Sequence, residues 1–230
     1  MLTLFQQMLC PNSRYVRLIL GEYGLEARLI EEKFWERRQE FLKLNPAGTI
    51  PVLVEEGQPP VPGAAIIAEY IEETRGIERG GQGLMPPGVG GRVEVRRLAS
   101  WFNEKFHQEV SAPLVTERVF KRYMTREQGG GPPDSDAIRA ARHNIRYHLA
   151  YIGWLVRTRN FLAGDRLSHA DLAAAAHLSA ADYMGDVPWN EDDAAKSWYA
   201  RVKSRPSFRP LLADTQGGLP PAKNYANLDF

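Results

Sequence analysis

Apolar and polar positions change rhythm repeatedly over the first 75 residues and then settle into one. Leu2-Thr3-Leu4-Phe5 reads as a short strand. From Asn12 to Tyr23, Val16, Ile19, Leu20 and Tyr23 fall on one face at helical spacing. Ala27 to Phe34 (ARLIEEKF) predicts a second strand, Glu36 to Leu44 a charged helix with Phe41 and Leu44 facing in, and Pro51 to Val54 a third strand. Alternation of strand and helix implies a crossover and a partly parallel sheet. Pro59, Pro60 and Pro62 cannot donate ladder hydrogen bonds, so any strand there is a short edge. VPGAAIIAEYIEET, residues 61–74, then opens a helix with Ile66, Ile67, Tyr70 and Ile71 apolar and Glu69, Glu72 and Glu73 polar.

Residues 75–91, RGIERGGQGLMPPGVGG, are dominated by glycine and proline and read as a linker. Everything beyond is helical in pattern. Arg92 to about Tyr123 carries Leu98, Trp101, Phe102 and Phe106 at helical spacing, and Gly129 to Pro133 breaks the run. Asp134 to Thr158 repeats Ile138, Ile145, Leu149, Ile152 and Leu155 on one face. A last helix, Glu191 to Lys203, turns Trp198 and Val202 inward and is stopped by Pro206. The pattern divides the chain into an α/β unit (1–76), a linker (77–91), an all-α unit (92–212) and a tail (213–230).

The sharpest local signal is Leu167-Ser168-His169-Ala170-Asp171-Leu172. Ser168 can cap the N–H near 171, Asp171 can reach back to the backbone of Ser168, and Leu167 and Leu172 are placed for a hydrophobic staple. Ser168, His169 and Asp171 share one helical turn, whereas triad members are gathered from separate elements. The reading is a capping box, not a hydrolase.

Composition narrows the function without naming it. Hydrophobic residues are 43% and charged residues 25%, ordinary for a globular chain, and a formal net charge of +1 gives no sign of a nucleic-acid partner. The single cysteine, Cys10, excludes an internal disulfide and fits a reducing cytoplasm. No signal peptide and no apolar run of membrane-spanning length is visible, so a cytoplasmic protein is expected. His107, His143, His148, His169 and His177 are scattered and form no convincing metal-ligand set. Cys10 sits where a helix starts, a position that lowers a thiol pKa, but the favoured reading is a small cysteine that is buried or idle. The fourth residue of CPNS is Ser13, so there is no dithiol, and Ser13 reads best as the cap of the first helix.

Four segments in order resemble the cytosolic glutathione transferase superfamily. They are Cys10-Pro11-Asn12-Ser13-Arg14; Asn45 to Leu53 (NPAGTIPVL), with Pro51 in the cis-proline position; the Ser168-x-Ala170-Asp171 box; and Trp198 through Arg205-Pro206. The resemblance implies an N-terminal thioredoxin-like domain and a C-terminal helical domain. In that superfamily the third helix opens with an acid and a serine that hold the γ-glutamyl group of glutathione. Here Gly63 and Ala64 stand in their places, so Cys10, Pro51, Gly63 and Ala64 mark a degenerate glutathione site. Losing two hydrogen bonds to charged groups costs about 1.5–3 kcal/mol each.

The tail, ending AKNYANLDF, has the apolar-acidic look of a docking element. Together with Gly63-Ala64 it resembles a non-enzymatic branch of the superfamily, homodimers that bind the tubulin-like GTPase FtsZ in bacterial division. That resemblance implies partner contacts at Tyr225, Leu228, Asp229 and Phe230, a place at the division site, and no cofactor. Because the tail follows the last helix and a Gly217-Gly218-Leu219-Pro220-Pro221 break, the helical core is expected to survive its loss. The alternative is a glutathione-dependent transferase or thiol reductase using Cys10 and Ser13.

Overall fold

The computed structural model describes residues 1–76 and 83–228. The N-terminal sheet has the order β2-β1-β3-β4. β1 (Leu2–Gln6) pairs parallel with β2 (Ala27–Glu31), with Leu2 opposite Ala27, and antiparallel with β3 (Val52–Glu55), with Leu2 opposite Glu55. β4 (Val61–Pro62) is the short edge that the prolines dictate. The chain enters β3 through a cis Ile50-Pro51 bond. α1 (Pro11–Tyr23) makes the crossover and is buried along almost its whole length. α3 (Ala64–Ile71) packs beside it with Ile67 and Ile71 inward and Ile66 60% exposed.

Two expected boundaries move. The second strand ends at Glu31, because Phe34 and Trp35 leave the sheet in a 3-10 turn (Phe34–Glu36) and both pack on Phe120, with ring centroids 5.4 Å away. The charged helix accordingly starts late, as α2 (Gln39–Leu44). Tertiary packing overrides the strand propensity of this stretch.

The helical unit begins with α4 (Val89–Ser100), three residues inside the stretch expected as linker; residues 77–82 of that linker lie outside the described residues. The single helix expected from Arg92 to Tyr123 is segmented. α4 runs into a π-helical segment, Trp101–Ser111, then α5 (Ala112–Arg118) and a 3-10 turn, Phe120–Arg122. Pro113 cannot donate the α-type bond back to Glu109, and the Asn144 side chain donates to that carbonyl at 3.2 Å. α6 (Ser135–Val156) is capped by Asp134, which accepts from the N–H groups of Asp136 and Ala137. α7 (His169–Tyr183) is buried at every position and forms the centre of the molecule. α8 (Asp193–Lys203), capped by Asp192, turns Trp198 and Val202 inward as the spacing predicts. A 3-10 turn, Pro206–Phe208, leads into α9 (Arg209–Leu212). α1 meets that turn so closely that a Cβ at Gly21 would lie 2.9 Å from Ser207 Cβ. No helix among the described residues is long and apolar enough to cross a membrane.

Candidate functional site

The start of α3 is as bare as its sequence. Gly63 occupies the N-cap with φ 92° and ψ 136°, no side chain caps the helix, and no acid stands in its first turn. The Gly63 N–H donates to Pro51 O at 2.9 Å, so backbone alone ties the helix start to the cis-proline loop.

Cys10 is the N-cap residue of α1 and lines a cavity of about 250 Å³ between the two units. It is 7% exposed. Burial pushes its thiol pKa up, against opposing hydrogen bonds from the Ser13 hydroxyl and from backbone N–H groups at Ser13 and Asn12. The buried, idle reading of this cysteine fits and the activated one does not: desolvation outweighs the helix terminus, and the sulfur is a protonated thiol at neutral pH. Ser13 is not the cap either. It is the third residue of α1, fully buried, with its hydroxyl turned to Cys10 and to the Gln7 N–H.

The tail is built differently from its sequence reading. Tyr225 is 1% exposed and belongs to the main core, so it anchors the tail to its own chain and is not offered to a partner. Its ring meets Tyr183 edge-on at 5.1 Å, and its hydroxyl donates to Leu211 O at 2.8 Å and accepts from Arg14. Burial raises its pKa to about 12, even against the Arg14 charge. Upstream, Tyr183 bonds to Leu219 O, Gln216 N and Ala222 N, each at 2.8 Å. The tail therefore completes the helical core. Leu228 is 39% exposed, while Asp229 and Phe230 lie outside the described residues.

Beneath the tail lies a buried polar network that pattern reading missed. Arg14, fully buried in α1, donates to Ser179 Oγ (2.8 Å) and Leu211 O (3.1 Å) and lies 3.4 Å from Asp214. Arg17 holds Asp214 through two bonds at 2.8 and 2.9 Å. Lys203 is also fully buried, 3.2 Å from Asp182 and below the Tyr225 ring. Burial lowers the Lys203 pKa and raises that of Asp182, each against the attraction of the other. The one signal in the sequence was two arginines, Arg14 and Arg17, set into the otherwise apolar middle of the helix, Tyr15 to Leu20. Between tail residues 222–225 and the 185–196 segment opens a hollow of about 600 Å³.

The family model described as glutathione S-transferase, N-terminal domain, matches residues 9–74. FtsZ-localized protein A of Caulobacter vibrioides (strain NA1000 / CB15N) is 46% identical over 235 residues, which span 99% of this chain and 98% of that protein. The chain belongs to the FtsZ-localized protein A family, within the glutathione S-transferase superfamily. Among solved structures, a glutathione S-transferase from Sinorhizobium meliloti 1021 matches with a TM-score of 0.97 at 51% identity, covering 100% of both chains. FzlA from C. crescentus matches with a TM-score of 0.90 at 46% identity, covering 100% of this chain and 99% of that one.

The superfamily's two-unit fold is thus present here, with the Ser168–Asp171 box in place. Asp171 accepts from Ser168 N (3.0 Å), Ser168 Oγ (2.9 Å), Leu162 N (2.9 Å) and Trp198 Nε1 (2.9 Å). Its bond to Trp198 joins two of the four segments on which the superfamily resemblance rested.

Proposed function

We propose that this protein is a non-enzymatic, homodimeric partner of FtsZ that acts on filament bundling or curvature during division, in the cytoplasm at the division site. The observation that carries this reading is the full-length likeness to FtsZ-localized protein A. Two features of the site support it: Gly63 and Ala64 leave no side chain to grip a γ-glutamyl group, and Cys10 is a buried, protonated thiol. Self-association is supported by apolar side chains left uncovered on neighbouring helices, Ile66 on α3 and Val89 and Val93 on α4. A symmetric dimer presents two FtsZ-binding surfaces, so bridging follows from geometry. The contact itself falls to the end of the tail, Leu228, Asp229 and Phe230, beyond the anchored Tyr225.

Co-sedimentation with GTP-assembled FtsZ tests the reading. Wild type is expected to pellet with filaments, while Asp229→Lys and Phe230→Ala keep the melting temperature and dimer mass but remain in the supernatant. If both folded variants pellet like wild type, the tail is not the contact. If wild type fails to pellet, the FtsZ reading falls. A second reading, a glutathione-dependent transferase or thiol reductase, is favoured by one observation: Cys10 lines an open cavity at the superfamily's catalytic address. Saturable binding of glutathione with a sub-millimolar dissociation constant supports that reading instead.

A further inference from the structure

The chain's formal net charge is only +1, yet cations gather around the hollow between tail residues 222–225 and the 185–196 segment. Tyr225 forms part of its wall, and two buried cations lie against the Tyr225 ring. Lys203 Nζ is 5.5 Å and the Arg14 guanidinium carbon 5.9 Å from the ring centroid. Lys196 and Lys223 line the hollow itself, together with Asp193 and the buried Asp182. Asp182 is matched by Lys203 at 3.2 Å, and Asp214 is shared by Arg17 at 2.8 Å and Arg14 at 3.4 Å. The hollow and the network behind it therefore hold Arg14, Arg17, Lys196, Lys203 and Lys223 against Asp182, Asp193 and Asp214, a surplus of positive charge. The other acids of the segment do not reverse it. Asp186 meets Arg118 and Arg142, Glu191 meets Arg146, and Asp192 meets Arg157. Charge held behind a low-dielectric wall is screened less than charge in water, and a concave site focuses its field on whatever enters.

One side of the hollow is apolar and stiff. Trp189, half-buried, stacks on Tyr199 with ring centroids 4.6 Å apart and planes 18° from parallel, and its Nε1 donates to Asp182 at 2.8 Å. Val187 extends this surface. An indole already fixed in place loses little freedom when a partner packs on it. At about 600 Å³ the hollow lies within the range of binding clefts and suits a few side chains of an extended segment. Leu228, the last described residue of the tail, is not among its lining residues, so the described tail walls the hollow without filling it.

We propose that this hollow docks an acidic, extended segment of a partner protein. Its carboxylates face Lys196 and Lys223, and an apolar side chain packs on Trp189 and Val187. Tyr225 thereby serves twice, closing the core on one side and walling the docking site on the other. The site is separate from residues 228–230, to which the FtsZ contact is assigned, and stands or falls apart from that reading.

Two fluorescein-labelled octapeptides are the probes, one alternating aspartate with leucine and one alternating lysine with leucine. They are titrated into the full-length protein and followed by fluorescence anisotropy, with amide NMR locating the site. The aspartate peptide is expected to bind saturably, to shift the Gly185, Asn190 and Asn224 amides, and to weaken as salt is added; the lysine peptide is expected not to bind. Lys196→Glu combined with Lys223→Glu should weaken the aspartate peptide roughly tenfold or more at an unchanged melting temperature. Should that double variant fail to fold, Lys223→Glu alone, at an exposed position, decides with a loss of about threefold. A chain lacking residues 228–230 should bind the peptide as wild type does. Equal binding of the two peptides, no saturation, shifts away from the hollow, or indifference to charge reversal overturns the proposal. Tighter binding by the shortened chain also overturns it, because the hollow then belongs to the protein's own terminus.

Discussion

At the start of α7 a buried carboxylate gathers four hydrogen bonds, from Ser168 N, Ser168 Oγ, Leu162 N and Trp198 Nε1. At the start of α3 the cap is a glycine and no side chain takes part. Both helices leave the same unsatisfied N–H groups at their first turn. α7 meets them in the interior, where water cannot serve and a side chain must. α3 begins beside the open cis-proline loop, where a ligand or water serves as well. Side-chain capping stands where burial compels it and is absent where the helix start is open. The fold is therefore complete around a helix start that carries no side-chain cap.

Breaking the α7 side of this contrast gives the largest effect. Asp171→Ala leaves buried donors from Leu162, Ser168 and Trp198 unpaired at once, and is expected to cost about 3 kcal/mol or more in urea unfolding. Burial raises the Asp171 pKa despite those bonds, so Asp171→Asn should cost distinctly less; equal losses contradict the account. Tyr225→Ala, which removes an aromatic ring from the same core, is expected to cost about 3 kcal/mol. Deleting only residues 228–230 should stay within about 0.5 kcal/mol of wild type, so the two tail variants separate anchor from terminus.

His177 sharpens the contrast through pH. Its folded pKa lies well below the ordinary 6.5 because of burial, so the unfolded chain binds the proton first. The stability it contributes is complete above pH 6.5 and is lost as pH falls below it, at about 1.4 kcal/mol per pH unit. Urea midpoints measured between roughly pH 7 and 5.5 should show this slope in wild type and a shallower one in His177→Gln. On the α3 side the effects are smallest. Gly63→Glu forces a side chain onto a backbone with φ 92° and is expected to cost roughly 1 kcal/mol. Ala64→Ser should shift stability by less than about 0.5 kcal/mol, and with the acid still missing it should leave glutathione unbound in calorimetry.

What the sequence made legible follows the range of each interaction. The α7 box spans four residues and the bare α3 start two, and both stand in the structure as the sequence predicts. The strand-helix alternation likewise announces the mixed sheet. Phe34 and Trp35 escaped because their packing partner, Phe120, lies in the other unit. The tail escaped for the same reason: Tyr225 is an anchor only because Arg14 and Tyr183 wait beneath it. For Cys10 the helix terminus is visible in sequence and the depth of burial is not, so the sequence could weigh a buried, idle thiol against an activated one but could not give the desolvation that decides between them.

The bond between Arg14 and Tyr225 joins residues 211 positions apart. During synthesis the N-terminal unit leaves the ribosome long before residue 225 does, carrying a guanidinium whose partners Ser179, Leu211 and Tyr225 have not yet been made. A nascent thioredoxin-like unit of this kind can form its sheet but cannot bury the Arg14 face of α1 without leaving a charge unpaired. Its final docking thus waits on residues made some two hundred positions later, and a message cut short before codon 225 yields a chain in which Arg14 meets Ser179 and Leu211 but not the Tyr225 hydroxyl.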